Sequence, residues 1–361
     1  MFCQMVSQQG VNGAIRHCYE LTTALGHSGE SVLLVHKPGA WISSQAFPPQ
    51  VQLLESSFQR RPRELRRVAG ELRRCGVSLV HTHLSSANLF GVLLARLFRF
   101  RSVATCHMPH LQPHWWWNDR IICPSKATAG FQNRVNLVPR SRIDVIPYPL
   151  NCRSFQPRHT AATVRTELQI PADRFLICVV GDVSGRKAPH ILLEALPKLI
   201  AAGVRPHAVF AGRLVSDYEK RFRATLSDLQ LQPFVSVLGL REDVPDLVNA
   251  ADCVCLPSTR EVTPMALLEA MSLGTPVVST KVGGVAECIR DGVDGWVVDA
   301  NKPNQLADRL MTLGLDFGLR RRMGEHAAQH IQERFSTDVV LPQVLNCYEK
   351  TCGQRQAARA A

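Results

Sequence analysis

Several signals are absent from this chain of 361 residues. No apolar run approaches the roughly 20 residues that cross a bilayer, which excludes a membrane-spanning helix as a reading. None of the twelve cysteines forms a Cys-x-x-Cys pair. Cys253 and Cys255 alternate with Val254 in a strand-like run. This argues for reduced core thiols, against a disulfide framework or a zinc knuckle. No Gly-x-Gly-x-x-Gly follows a first strand, GVNGA being too sparse, so the main sign of a dinucleotide-dependent oxidoreductase is missing. No Asp-x-Asp triplet follows a strand either, so no metal-held phosphate is expected. The first residues, MFCQMVSQQGVNG, lack the charged start and long apolar stretch of a secretory signal. The expectation is a cytoplasmic protein.

What is present is a globular composition, 45% apolar and 20% charged, at a length suited to two domains. The formal net charge of +12 points to an anionic partner without naming it.

Short Val- and Ile-rich runs alternate with helical patterns. Strands are predicted in 77–83, 102–107, 120–125 and 143–148. A second set lies in 175–182, 207–212, 235–239, 253–258, 276–280 and 296–300, with helices such as 85–98, 187–202 and 303–314 between them. Such alternation predicts parallel sheets covered by helices on both faces, with ligands beyond the carboxyl ends of the strands. A stretch without strand pattern places a linker at about 150–160, and a last helix runs over roughly 336–352.

The segment PSTREVTPMALLEAMSLGTPVVSTKVGG, 257–284, is the most informative. Glu261 falls in a loop after a strand. Thr263 is placed to cap the next helix, Pro264 suits its first turn, and Met265, Leu268 and Met271 share one face. Glu269 lies about a turn and a half inside. A helix N-terminus is a ready phosphate site, and two carboxylates flanking it can accept from hydroxyls on either side. A nucleotide-sugar has that layout.

The order Pro257-Ser258, Glu261, Pro264, Leu268-Glu269-Ala270-Met271, Gly274-Thr275-Pro276-Val277-Val278 and Gly283-Gly284 with Glu287 resembles the signature of glycosyltransferase family 4. These are retaining enzymes of GT-B architecture. The resemblance extends over 9–25, 81–96, 103–110, 124–128, 145–157 and 291–299. It implies an α/β fold of two Rossmann-like domains facing across a cleft. An acceptor-side domain would occupy 1–155 and a nucleotide-sugar domain 156–337, with a C-terminal helix, 338–361, crossing back to the N-domain. It further implies metal-independent transfer of a sugar from a nucleotide-diphospho-sugar to a glycan or lipid-linked acceptor, as in cell-envelope polysaccharide synthesis, with no cofactor and no nucleic-acid partner.

By the same resemblance Glu261, His107 and Lys187 are the catalytic residues. Gly13, Arg186, Lys187, Thr263, Pro264, Met265 and Glu269 bind the donor, and the base lies near Leu240 and Arg241. The loop GDVSGRKAPH, 181–190, departs from the family's Gly-Arg-(x)n-Lys-Gly: Asp182 replaces the arginine and Ala188 the glycine. Arg186 is the candidate substitute. Asp182 would then turn away to cap the backbone or pair with Arg186. The departure keeps a second reading open, a catalytically weak or inactive GT-B binding protein.

Three features stay open. His81 and His83 form His-x-His, with no third ligand in view, and read as core or cleft-lining residues. The loop holding His110, His114 and Trp115 to Trp117 fits stacking on a sugar, dipping into a membrane interface, or packing under the N-domain. RRPRELRRVAGELRR, 60–74, carries seven arginines against two glutamates, with Leu65, Val68 and Leu72 at helical spacing. It fits a helix resting on an anionic membrane, at the inner face, or a solvated face whose apolar stripe enters the core.

Overall fold

The computed structural model describes residues 1–360, with side chains through residue 353. Contacts divide it into two units, Met1–Leu150 joined by the segment from Thr337 on, and Asn151–Ser336.

The first unit contains β1 (Phe2–Val6), β2 (Val32–His36), β3 (Val51–Glu55), β4 (Leu79–His83), β5 (Arg101–Thr105), β6 (Arg120–Cys123) and β7 (Ile143–Val145). They form a seven-stranded sheet in the order β3-β2-β1-β4-β5-β6-β7, parallel throughout. Four helices connect them: α1 (Gly13–His27), α2 (Pro62–Arg74), α3 (Ser85–Phe98) and α4 (Lys126–Arg134). The second unit contains β8 (Phe175–Val180), β9 (Pro206–Ala211), β10 (Val235–Gly239), β11 (Cys253–Leu256), β12 (Val277–Thr280) and β13 (Gly295–Val298). Their order is β10-β9-β8-β11-β12-β13, again parallel. Its helices are α5 (Ala161–Glu167), α6 (Pro189–Ala201), α7 (Ser216–Asp228), α8 (Val244–Ala250), α9 (Met265–Ser272), α10 (Val285–Cys288), α11 (Pro303–Leu315) and α12 (Phe317–Arg334), and α13 (Thr337–Ala360) follows.

The strand order reverses between β1 and β4 in one sheet and between β8 and β11 in the other. The two connections that leave such a point diverge to opposite sides and open a crevice at the carboxyl ends of the strands. Buried valines, leucines and isoleucines on both faces explain why the central strands read as continuous apolar runs. The segments β2 and β3 were not among the predicted strands. VLLVH is buried throughout and carries the same short apolar signal as the others, whereas β3 is a half-exposed edge.

In α2, Leu65, Val68, Ala69 and Leu72 recur at three- and four-residue spacing and are buried against Cys3, Leu33, Val80 and Phe90. The arginine-rich segment therefore spends its apolar stripe on the core, the second of the two readings above. All seven arginines of 60–74 are exposed.

Helix α13 belongs to the first unit's core. Val340, Leu341, Val344, Cys347 and Tyr348 pack among Leu21 and Leu25 of α1, Leu79 of β4 and Val103 of β5. The fully buried Tyr348 hydroxyl accepts from Gln4 Nε2 at 2.8 Å and pairs with His81 Nδ1 at 2.7 Å. Tyr348→Phe would leave both partners buried and unsatisfied, at a cost of about 2 kcal/mol. Urea unfolding should show the midpoint fall without a change of slope; an unchanged midpoint would mean these bonds contribute nothing net.

Candidate active site

At the β8–β11 reversal, two loops close on one carboxylate. Glu261, in the loop after β11, is nearly buried. Its Oε1 meets Lys187 Nζ at 2.8 Å, accepts from Arg186 Nη1 at 3.0 Å and from Ser258 Oγ at 2.8 Å. Arg186 Nη1 also donates to the Arg260 carbonyl, and the Thr259 amide donates to the Arg186 carbonyl at 2.9 Å. The loop after β8 and the loop after β11 are thus sewn together. Burial by itself would raise the Glu261 pKa, but Lys187 and then Arg186 outweigh it and hold the carboxyl below the usual range.

The glycine pair that closes the motif has a steric reason. Gly283 has φ +54°, and a Cβ there would lie 1.8 Å from the Glu261 carbonyl oxygen. The Gly284 amide donates to the Val262 carbonyl at 2.9 Å. Only glycine lets the loop after β12 press against the backbone that presents Glu261.

Helix α9 starts one residue later than the sequence suggests. Pro264 is the N-cap and no side chain caps the helix; Thr263 lies outside it, with Oγ1 buried and without a hydrogen-bond partner. The expected Thr263 cap is therefore not formed. Pro264 carries no N–H and fixes the entry angle, and the N-cap position gives no side-chain hydrogen bond to the first turn of α9. Burial extends beyond one face: Leu267, Glu269 and Ala270 are buried as well as Met265, Leu268 and Met271.

Asp182 takes neither of the two expected roles. It pairs with Arg213, from the loop after β9, whose Nε and Nη2 reach its two oxygens at 3.2 and 3.0 Å. Nothing local to Asp182 points to this partner, which lies 31 residues on. Lys187 lies against Gly181, with Cε 3.2 Å from where a Cβ would stand, and Gly181 has φ +124°. Ala188 takes a left-handed conformation, φ 46°, just before α6. That explains why glycine is usual in the family motif at this place. Leu240 is exposed, and Arg241 is held by Asp243 and Glu167.

In the first unit, a cavity of about 310 Å³ sits at the carboxyl ends of β1, β4 and β5. Ser7 and Gln8, Leu84 to Ser86, and His107 with Met108 supply its walls, and Trp115 and His110 border it. Gly13 opens α1 beside open space, while Asn12 caps that helix by accepting from the Ala14 and Ile15 amides. Of the tryptophans, Trp115 packs with Ala104 and Ile121, whereas Trp116 and Trp117 are about half exposed.

His107 is buried, and both ring nitrogens are engaged. Nδ1 is 2.8 Å from the Tyr148 hydroxyl and Nε2 is 3.0 Å from His83 Nδ1. His83 Nε2 meets Gln4 Oε1 at 2.8 Å. Because that oxygen only accepts, His83 protonates Nε2, so His107 Nε2 donates to His83 and Tyr148 donates to His107 Nδ1. Burial pushes His107 and His81 down to about 3; burial and the neighbouring histidines hold His17 and His83 well below the usual value. These imidazoles are neutral at pH 7, and His107 meets its neighbours as a neutral hydrogen-bonding ring.

Known proteins resemble this chain in sequence and in fold. The family model for glycosyl transferases group 1 matches residues 161–330, and that for Glycosyltransferase Family 4 matches 11–153. The chain belongs to glycosyltransferase family 4. The D-inositol 3-phosphate glycosyltransferase of Corynebacterium kroppenstedtii is 30% identical over 293 residues, 72% of this chain and 64% of that protein. Its namesake from Streptomyces bingchenggensis is 31% identical over 231 residues, 61% of this chain and 50% of that protein. The chain thus spans between half and just under two thirds of the length of these relatives. Among solved structures, HepE of Anabaena in complex with UDP superposes with a TM-score of 0.84 at 20% identity, over 97% of this chain and all of that one. A glycosyltransferase from Rickettsia africae gives 0.86 at 18%, over 97% and 98%. Both establish the shared GT-B fold.

Within this family-4 chain, the second unit brings together Glu261, Arg186 and Lys187, with Thr263, Pro264, Met265 and Glu269 following directly along the chain. His107 and Gly13 lie in the first unit. Since the folded Glu261 carboxyl titrates below its unfolded value, its stabilisation is complete above the unfolded pKa and is lost as pH falls through the folded one. Glu261→Gln should lower stability at pH 7 by about 1–3 kcal/mol, by leaving Lys187 buried without its counter-charge. The gap should narrow as the pH falls below the ordinary carboxylate range and through the folded carboxyl's pKa. Coincident urea midpoints for the two proteins at every pH would show that the cluster adds nothing to stability.

Proposed function

We propose that the chain is a metal-independent, retaining glycosyltransferase. It moves a sugar from a nucleotide-diphospho-sugar to a glycan or lipid-linked acceptor. The observation that carries this reading is the grip of Glu261 on Arg186 and Lys187 beside the uncapped start of α9. Two cations against one carboxylate leave a net positive charge, and the α9 N–H groups add a positive dipole end. As the bond from the anomeric carbon to the diphosphate breaks, negative charge grows on the departing phosphate, where this arrangement stabilises it. Glu261 accepts from donor-sugar hydroxyls as the reacting carbon gains positive character, and Glu269 accepts from the ribose. The acceptor hydroxyl forms the new C–O bond and passes its proton to the departing diphosphate oxygen, which has gained the electron pair of the broken bond. The cavity beside His107 receives the acceptor.

The rival reading, a binding protein that kept the fold, rested on Asp182. Its two-pronged pairing with Arg213 offsets the carboxylate's charge, which favours the enzyme.

The test is transfer and donor hydrolysis with a panel of nucleotide-sugars and acceptors. UDP-glucose leads the donors, since a fold neighbour was solved with it. D-Inositol 3-phosphate joins the acceptors because relatives bear that name. Glu261→Gln should cut turnover by orders of magnitude, and Arg186→Ala and Lys187→Ala should each cost on the order of 100-fold. Glu269→Ala should mainly weaken donor binding. Transfer should survive EDTA; loss on chelation with rescue by magnesium or manganese would overturn metal independence. Parental turnover by Glu261→Gln would sink the assignment, and donor binding without turnover of any pair would establish the binding protein.

We further propose that α2 rests on an anionic membrane surface, so that the enzyme works peripherally at the inner, cytoplasmic face. Glu64 and Glu71 engage Arg67 and Arg74, leaving Arg60, Arg61, Arg63, Arg66 and Arg73 exposed and without acidic partners among the described residues. With the apolar stripe in the core, attraction must be purely electrostatic, about 1 kcal/mol per basic residue. Co-sedimentation with acidic vesicles should therefore be strong at low salt and vanish at high salt. Absence of binding at low salt removes the idea, and salt-resistant binding would require an inserted apolar surface instead.

A further inference from the structure

We propose that His17, His83 and His107 form a three-histidine site for a zinc-class divalent cation within the first unit. His17 projects from α1, His83 ends β4, and His107 follows β5. All three are buried, and one nitrogen from each lies within 4.8 Å of the others. Three imidazoles with a water in the fourth position is a known zinc ligand set.

The hydrogen bonding supports a cation more specifically than proximity does. His83 Nδ1 and His107 Nε2 point at each other 3.0 Å apart. In a tetrahedral zinc site with bonds near 2.0–2.1 Å, ligand nitrogens stand about 3.3 Å apart, so this pair is already near that separation. The opposite nitrogens have the partners that metal-bound histidines require. His83 Nε2 donates to Gln4 Oε1 at 2.8 Å, which fixes its lone pair on Nδ1. His107 Nδ1 is 2.8 Å from the Tyr148 hydroxyl, a group that donates now and accepts equally well. Moving the His107 proton from Nε2 to Nδ1 reverses that bond and frees Nε2 for a metal. His17 supplies the third imidazole. Its Nδ1 is buried without a hydrogen-bond partner among the described residues, and the ring lies with its centroid 5.3 Å from that of His83 and 5.0 Å from that of His107. A shift on the order of 1 Å brings it into range. The cavity bordered by His107 gives an entry path and room for water.

His81 is not part of the set. Both its nitrogens are taken, by Tyr348 and by Thr105 Oγ1. A cation held here engages His107, and chelation releases it, so this site and transfer that survives EDTA are compatible.

The test is a cobalt(II) titration of the chelator-stripped, tag-free full chain. One equivalent should bind, give the visible absorption of tetrahedral cobalt, and be displaced by zinc. X-ray absorption of the zinc-loaded parent should show an imidazole-only protein shell. His17→Leu removes a ligand without orphaning a hydrogen bond and should abolish stoichiometric binding. Tyr148→Phe keeps the ligands but loses the supporting hydroxyl, and should weaken binding about 10- to 100-fold. The proposal is overturned if the parent takes up no stoichiometric cobalt. It is equally overturned if a cooperatively melting His17→Leu protein binds as well as the parent, or if the zinc shell contains sulfur or carboxylate oxygen. The parent measurements decide the question even where a variant fails to fold.

Discussion

One buried oxygen, Glu261 Oε1, organises the second unit. Two cations and a serine hydroxyl converge on it from loops that are far apart in sequence. They meet because β8, β11 and β12 are consecutive in the sheet and therefore deliver their loops side by side. Gly283 is forced by the same contact, since any side chain there would push into the backbone that holds the carboxylate. Arg213 arrives from β9, the neighbour on the other flank of β8. The order β9-β8-β11-β12 thus lines up a guanidinium–carboxylate pair, a cation pair, a carboxylate and a glycine hinge along one rim. Charge and backbone shape act together there: the cations can sit close only because the glutamate lies between them, and the glutamate is held there by the close approach of the next loop.

The first unit solves a related problem with neutral groups. Around the reversal at β1 and β4, the polar side chains Gln4, His81, His83 and His107 turn inward where apolar residues would be usual. Burying them is tolerable because nearly every ring nitrogen finds a partner, and Gln4 sets the proton positions through the chain. His17 Nδ1 is the exception, and it is the atom that makes the cluster more than a well-satisfied polar core.

Much of this was legible from residue order. The motif from Pro257 to Gly284 named the family, and the strands that carry it formed where the apolar runs lie. Arg186 and Lys187 stand in a loop that the motif marks, but their contact with Glu261 comes from the side-by-side placement of β8 and β11 and has no local signal. What escaped reading depends on distance in sequence. Asp182 and Arg213 meet only through strand pairing. His17, His83 and His107 come from three elements, and a lone histidine on α1 has no local signal to tie it to His-x-His. The helix α2 shows the opposite limit: its amphipathic spacing was plain, but spacing alone does not say whether the apolar stripe faces lipid or core. Thr263 illustrates a third. A threonine before a helix usually caps it, and here Pro264 occupies the cap and shifts the threonine out by one position.

The placement of α13 bears on how the chain is made. Five of its residues complete a core whose other members lie before residue 150, yet the whole of Asn151–Ser336 intervenes. As the polypeptide leaves the ribosome, the second unit has all of its own sequence before the first has its final helix. The first sheet must therefore wait, with the faces of Leu21, Leu79 and Val103 uncovered, while nearly two hundred further residues are synthesised. The earlier-translated half therefore lacks part of its core until the last helix is made, and an uncovered apolar face is the condition under which a nascent domain aggregates.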